Sequence, residues 1–221
     1  MAKKNKTEDK KNSKSIVKLE EKQIKIFVWV MIFAVVFFLA IYLSAISEKK
    51  FKYSGLIFEK KGQGDLFLYY TEFPVIDFNG NVVSKIPFYF REDPRKLQDI
   101  AILGGKIMLR KNVALAINGD DIENCEDGVL SGTVISLFLS KSGVSSFGAT
   151  TNQKEAEELN RRYVNCKNPG DYSVIVFQKA DENKIIKSGD CYTIQYSNCE
   201  IMNVTEKFMI ALYAHSRGID I

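Results

Sequence analysis

The chain has 221 residues, is 46% hydrophobic and carries a formal net charge of +4, but this charge is unevenly distributed. Residues 1–25 hold nine lysines against four acidic side chains, and residues 48–52 hold three lysines and one glutamate. Residues 53–221 hold 19 basic and 22 acidic side chains. Because this last part is nearly neutral, a broad nucleic-acid-binding surface is excluded there, and no nucleic acid is expected as a partner.

The first 25 residues consist mostly of Lys, Asn, Ser, Thr and Glu, with too few apolar side chains to offset the entropy of ordering. We predict a basic, largely disordered cytoplasmic tail over residues 1–25. Its lysines either attach to anionic lipid heads or act only as a signal for membrane topology. The sequence leaves both interpretations open.

An uncharged stretch, Ile26–Ile46, follows the tail. As a helix rising 1.5 Å per residue it would be about 31 Å long, which matches a hydrocarbon core of about 30 Å. The stretch therefore predicts a transmembrane helix over residues 26–46. A cleaved signal peptide is the alternative, because Ala45-Ile46-Ser47 fits a small-x-small cleavage pattern, whereas the length of the stretch favours a permanent anchor.

The excess of lysine before this stretch predicts a single-pass protein of the cell membrane with a cytoplasmic N-terminus and an outer C-terminal domain. The lipid bilayer is then a partner, and residues 47–52 form a juxtamembrane collar. Aromatic rings and lysines are favoured at the membrane interface, where five residues are expected to lie: Trp29, Tyr42, Lys25, Lys49 and Lys50.

The extracytoplasmic domain, residues 53–221, opens with apolar and aromatic runs typical of β-strands. The runs at residues 51–58 and 66–73 flank a turn at residues 61–64 and predict a hairpin. Asn79-Gly80 marks another turn, which precedes a strand at residues 82–90. Asp93-Pro94 predicts a short helix with Asp93 as N-cap and Pro94 in the first helical position.

Two helices are predicted in the middle of the domain. Asn152 and Glu155 form a capping box that opens the second helix. The two helices are expected to pack as an antiparallel hairpin with one buried face. The first helix is predicted by apolar residues at i, i+4, i+7 and i+8, namely Leu130, Val134, Leu137 and Phe138.

The chain then returns to short strands between residues 172 and 196. It ends in a helix over residues 208–214, which a second capping box, Asn203 with Glu206, is expected to open. Strands and helices show no regular βαβ alternation in this sequence. The order therefore predicts an α+β fold: an N-terminal transmembrane helix, then one domain with a mainly antiparallel sheet and about three helices.

All four cysteines lie in the C-terminal domain, which predicts disulfide bonds in an exported protein. The helix hairpin favours a Cys125–Cys166 bridge, because it brings the ends of the two helices together. Cys191–Cys199 follows by elimination and needs a sharp turn near Ser197-Asn198, since a straight strand would hold these residues too far apart. The rival pairing, Cys166 with Cys199, stays open.

Five carboxylates lie between Asn118 and Gly128. Oxygen-rich loops bind Ca²⁺ weakly outside cells, so this loop is a candidate cation site, although its spacing is not that of an EF-hand. The alternative is a solvated loop whose acidic residues interact with the dipole of the following helix. The candidate ligands are Asp120, Asp121, Glu123, Glu126 and Asp127.

Arg91, Arg95 and Lys96 surround the Asp93-Pro94 turn and form a candidate anion site at a helix N-terminus. Ordinary surface charges are the alternative interpretation. The sequence contains no motif of a known nucleophile, metalloprotease or nucleotide site, and the only histidine is His215. No catalytic residue or resident cofactor is therefore assigned, and an enzymatic role is not favoured.

Three segments carry a resemblance: Pro87–Leu97, the pair Cys191-Tyr-Thr-Ile and Cys199-Glu-Ile, and Thr205–Phe208. Over most of residues 51–210 the chain resembles an uncharacterised group of single-pass membrane proteins from small-genome archaea. The resemblance implies a location at the cell surface and no particular activity.

These observations favour a membrane-anchored extracytoplasmic domain with a non-enzymatic role in binding or assembly at the cell surface. Its partner would be another membrane or surface protein. The alternative is an anchored hydrolase or transferase with a metal near Asp120–Asp127.

Overall fold

The computed structural model describes residues 25, 27–42, 49–64, 66–76, 79, 81–122, 125–167 and 169–221. The chain divides into two compact units, Met1–Lys49 and Lys50–Ile221.

The described part of the first unit is a helix over residues 27–42, with apolar side chains exposed along its length. Within the described residues, no helix has both the length and the apolar character needed to cross a membrane, which contradicts the predicted transmembrane helix. Residues 1–24, Ile26 and residues 43–48, which include the start of the predicted collar, lie outside the described residues.

The second unit begins with a four-stranded antiparallel sheet in which the strands follow chain order. The predicted hairpin is present, with an additional turn at Ser54-Gly55 where both residues have positive φ. One face of the sheet is buried, since Ile86, Phe88 and Phe90 alternate with exposed residues along the last strand. The strands are β1 (Lys50–Tyr53), β2 (Leu56–Gln63), β3 (Leu66–Ile76) and β4 (Val82–Phe90).

A seven-stranded sheet forms the rest of the unit, in the order β5-β10-β11-β9-β6-β7-β8. Five of its six neighbouring pairs are parallel, and only β10 and β11 are antiparallel. The strands are β5 (Ala101–Leu103), β6 (Asn112–Ile117), β7 (Ser145–Thr150), β8 (Arg162–Tyr163), β9 (Ser173–Lys179), β10 (Lys184–Ser188) and β11 (Cys191–Tyr196).

Four α-helices and a 3₁₀ helix accompany these strands in the described part of the unit. The 3₁₀ helix begins as predicted, with Asp93 accepting a hydrogen bond from the Arg95 amide and Pro94 in the first turn. The helices are the 3₁₀ helix (Pro94–Asp99), α1 (Gly119–Ile122), α2 (Gly128–Lys141), α3 (Gln153–Glu158) and α4 (Ile201–Ser216).

The unit is α+β, but its prediction was wrong about the larger sheet and the number of helices. The segment 145–150, which lies between the two predicted helices, is strand β7, so α2 and α3 are separated by a strand and form no hairpin. The buried face of α2 carries Ile135, Phe138 and Leu139, whereas Leu130 and Leu137 of the predicted stripe are exposed. The sequence does not reveal the alternation β6-α2-β7-α3-β8, because a six-residue α3 and a two-residue β8 are too short to show a recognisable pattern.

The two faces of the large sheet bury different sets of side chains. Val113 and Leu115 of β6 face the main core, which also contains α2, α4 and the buried face of the small sheet. Ala114 and Ala116 face a second, smaller cluster, which includes Val164 and Cys191. A mainly parallel sheet must bury both faces. Here helices cover one face, and Val164 and Tyr172 pack on the other.

Both disulfide bonds are present, but their connectivity differs from the pairings favoured by the sequence. Cys125 is bonded to Cys199 with a Cα–Cα distance of 5.2 Å, and Cys166 is bonded to Cys191 with a Cα–Cα distance of 5.4 Å. The Cys125–Cys166 prediction was wrong because it depended on the helix hairpin. Cys191 instead begins β11 and Cys199 follows it, so these two residues lie at opposite ends of one strand.

Helix α4 is joined to the small sheet by two buried side chains that are adjacent in sequence. The carboxyl group of Glu206 accepts hydrogen bonds from the amides of Arg91 (2.6 Å) and Glu92 (3.2 Å), just after β4. The ammonium group of Lys207 lies 3.4 Å from the hydroxyl of Tyr53 in β1. The predicted Asn203–Glu206 capping box is therefore wrong, because α4 begins at Ile201 and both residues lie inside it.

We predict that Glu206 makes the stability of the domain depend on pH. Burial raises its pKa from 4.5 to about 8, so the folded state holds a proton that the unfolded chain releases above about pH 4.5. The contribution of this group is therefore fully present below about pH 4.5 and is lost as pH rises from there to about 8, with an upper bound on the order of 5 kcal/mol.

Denaturant unfolding of Glu206→Gln between pH 5 and pH 8.5 measures this effect, and the variant is expected to show a flatter pH profile than the parent. Glu59→Gln serves as the control, because Glu59 lies near the surface and its oxygen is 3.9 Å from the Lys50 ammonium. Identical slopes for the Glu206 variant and the parent would contradict the prediction.

Candidate functional site

A cleft of about 840 Å³ lies beside α2. This volume falls within the range of roughly 300–1,000 Å³ that is typical of ligand sites. The floor is formed by β6 and β7, α2 forms one wall, and Gly119 and Ile122 of α1 close one end. The face of α2 that lines the cleft carries Val129, Gly132, Thr133, Ser136, Leu137 and Ser140.

The position of the cleft follows from the topology of the sheet. From β6 the chain proceeds to β7 and β8 on one side and then returns to β9 on the other side of β6. Such a reversal leaves a crevice at the carboxyl ends of the parallel strands, which is where open α/β sheets bind ligands. The cleft extends from this edge along α2, because the six-residue α3 covers little of the sheet.

Glu155 organises the loops at this edge. Its carboxylate accepts hydrogen bonds from the Gly119 amide (3.3 Å) and the Thr150 hydroxyl (2.8 Å), and it pairs with the Arg161 guanidinium at 2.9 Å. Asn152 caps α3 as predicted, with its side chain accepting hydrogen bonds from two amides of the first turn. Glu155 thereby joins the loops after β6 and β7 to the segment before β8.

The loop after β6 is held from its other side by Tyr196. The buried hydroxyl of Tyr196 donates a hydrogen bond of 2.8 Å to the carbonyl of Asp121 in α1, and burial raises the pKa of Tyr196 to about 12. Asn118 precedes α1, and its side-chain oxygen is buried without a hydrogen-bond partner among the described residues. This loop is therefore fixed in position and carries one unused acceptor.

The predicted cation site is not assembled in the described part of the chain. No three His, Cys, Asp or Glu side chains there lie close enough together to hold a metal ion. Asp127 pairs with Arg91, and Glu126 is exposed. Asp121 contributes its backbone to the Tyr196 contact, Asp120 lies in α1, and Glu123 lies outside the described residues.

The predicted anion site consists of residues that are paired with acidic neighbours. Arg91 pairs with Asp127, and Lys96 pairs with Glu92 at 3.1 Å. Arg95 pairs with Asp93 at 2.6 Å and stacks on the ring of Phe51. The structure therefore uses these cations to fix the 3₁₀ helix and to connect it with α2.

The residues predicted at a membrane interface are divided between the two units. Lys25 and the exposed Trp29 and Tyr42 are helical residues of the first unit, and Lys49 ends it. Lys50 is the first residue of β1 in the second unit. No observation tests an interface role for these residues.

His215 has a structural contact near the end of α4. Its Nδ1 accepts a hydrogen bond of 2.9 Å from the Ile107 amide, and burial lowers its pKa from 6.5. This contact requires the neutral ring and fixes the segment after β5.

The sequence contained a signal for the cleft that the search for apolar stripes missed. Gly132, Ser136 and Ser140 recur every four residues and form a small-residue face on α2. In this face the Ser136 hydroxyl lies 2.9 Å from the hydroxyl of Ser146 on β7. Small side chains at this spacing leave space between α2 and the sheet. A pattern of large apolar residues does not include them.

Comparisons with protein families, with curated proteins and with solved structures found no match to this chain. The interpretation of the cleft therefore depends on its own residues. Arg161 carries the only ionisable side chain among the described lining residues. The arrangement offers apolar contact, several hydroxyl groups and one cation.

We predict that Glu155→Ala destabilises the domain by about 1–3 kcal/mol, because two donors and one cation lose their shared acceptor. Glu158→Ala on the same helix is the matched control. Its carboxylate is exposed and lies 3.7 Å from Lys154, and such pairs contribute roughly 0–1 kcal/mol. Chemical denaturation measures both variants, and equal losses would contradict a special role for Glu155.

Proposed function

We propose that this protein is a disulfide-stabilised binding component of the cell surface and that its ligand occupies the cleft beside α2. The observation that carries the proposal is a cleft of about 840 Å³ at the carboxyl edge of parallel strands, with walls that are mainly apolar. The partner is another surface protein.

The extracytoplasmic location is supported by the two disulfide bonds. All four cysteines of the chain are paired, and disulfides persist in oxidising compartments and are rare in the cytosol. Both disulfide bonds lie in the second unit, so they bear on the location of that unit.

Binding is favoured over catalysis by the chemistry of the cleft. General acid–base chemistry needs titratable groups positioned at the reacting atoms. The described lining offers Arg161 and hydroxyl groups, and two of these hydroxyls, those of Ser136 and Ser146, are hydrogen-bonded to each other. The metal-dependent alternative near Asp120–Asp127 has no observation in its favour.

We predict that Thr133→Trp weakens binding of the fluorescent probe 1-anilinonaphthalene-8-sulfonate by about tenfold, because an indole at this position fills the cleft. The probe combines an apolar body with an anionic group and so matches apolar walls beside Arg161. Probe fluorescence titrated against the oxidised full-length chain measures the affinity.

Leu130→Trp is the matched control, since Leu130 lies on the same helix outside the cleft and is already exposed. This variant is expected to bind the probe like the parent. A probe that does not bind the parent, or binds both variants equally, would contradict the assignment of the cleft.

We predict that thiol labelling of intact cells modifies the protein only after treatment with an impermeant reductant. Outer disulfides are closed to alkylation until they are reduced, whereas cytosolic cysteines are kept as thiols. Mass spectrometry of labelled peptides measures the result. Cys166 and Cys191 are expected to be labelled together, because they form one disulfide bond. Labelling that requires cell lysis would contradict the outer location.

A further inference from the structure

The outer edge of β7 is only partly covered by its neighbouring strand. Strand β8 has two residues, which pair with Ala149 and Thr150 at the end of β7. The first four residues of β7 have no neighbour on that side among the described residues. The uncovered edge borders the cleft, whose lining includes Ser146 and Gly148.

The direction of the backbone groups along β7 can be assigned. The Ser145 amide donates to the Lys111 carbonyl on the β6 side, and the Thr150 carbonyl accepts from the Val164 amide on the outer side. Backbone groups of successive strand residues point alternately to the two sides. The amide and carbonyl of Ser146 and the amide of Gly148 therefore point to the open edge.

Gly148 adds a second observation at the same place. Glycine within a strand weakens it and often marks a site where another backbone approaches closely. Gly148 is paired with Leu115, so a side chain at this position would project into the cleft. A Cβ atom there would have no neighbour within 4 Å, and its φ is not positive, so neither packing nor backbone conformation requires glycine.

Building on the proposed function, we propose that the ligand is an extended segment of a partner protein that adds a strand to the open edge of β7. Backbone amides and carbonyls at the strand spacing of about 4.8 Å match the open groups of Ser146 and Gly148. Alternate side chains of the segment enter the cleft, where Ile122, Val129 and Leu137 provide apolar contacts.

Two arginines at one end of the β7 edge indicate which charge the bound segment carries there. Arg161 is 54% exposed and uses one nitrogen to pair with Glu155. Arg162 follows it and lies over the ring of Phe147 on the other face of β7. The segment therefore carries apolar residues at alternate positions and an acidic residue at the end that lies beside these arginines.

A displayed library of random dodecapeptides, selected on the oxidised full-length chain, tests the proposal. The expected peptides show apolar residues at alternate positions and an acidic residue at one end. Ser146→Pro removes an edge amide and is expected to weaken binding of the selected peptides about tenfold. Ser146→Ala retains that amide and is expected to bind them like the parent. Gly148→Pro, which removes the neighbouring edge amide, is compared with the parent should either Ser146 variant unfold.

The outcomes separate this inference from the proposed function. Failure to enrich any peptide, or equal binding to the proline and alanine variants, overturns the edge-strand inference. Binding of the anilinonaphthalene probe tests the assignment of the cleft independently of the β7 edge. Dimerisation of the parent that Ser146→Pro abolishes, measured by sedimentation, would identify a second copy of this chain as the occupant and would also overturn the inference.

Discussion

The structure depends on the requirement that a mainly parallel sheet bury both of its faces. Helices α2 and α4 cover one face, while the opposite face lacks a helix in the described chain. The small side chains of Ala114 and Ala116 on this second face leave room for Val164 and Tyr172 to pack against it. The Cys166–Cys191 bond ties the chain next to Val164 to the start of β11, so a covalent bond does here what a packed helix does in larger α/β proteins.

The limited helical cover also produces the cleft on the first face of the sheet. A six-residue α3 satisfies the crossover from β7 to β8, yet it cannot cover the sheet that a longer helix would bury. Glu155 compensates by holding the loops at the carboxyl edge through a single carboxylate. The domain therefore keeps a rigid rim around an incompletely covered floor, which is the arrangement that a preorganised binding site requires.

Local features of the fold could be predicted from the sequence, and features that depend on distant contacts could not. Asp93 and Asn152 were assigned correctly as N-caps, because a cap depends on the residues of one turn. Glu206 has the spacing of a capping box but interacts with amides more than a hundred residues away, so its local pattern was misleading. The short, polar strand β7 carries no alternation to detect, and with it the parallel topology, the disulfide connectivity and the cleft were all missed.

The disulfide connectivity also constrains how the protein is made. Each native bond joins an early cysteine to a late one, Cys125 to Cys199 and Cys166 to Cys191. During synthesis Cys125 and Cys166 emerge first, and they can react only with each other until the last thirty or so residues of the chain follow. Synthesis from the N-terminus therefore permits a non-native pairing before any native one can form. Correct oxidation has to wait for a complete chain or to proceed by thiol–disulfide exchange, so a disulfide isomerase would speed the biogenesis of this protein.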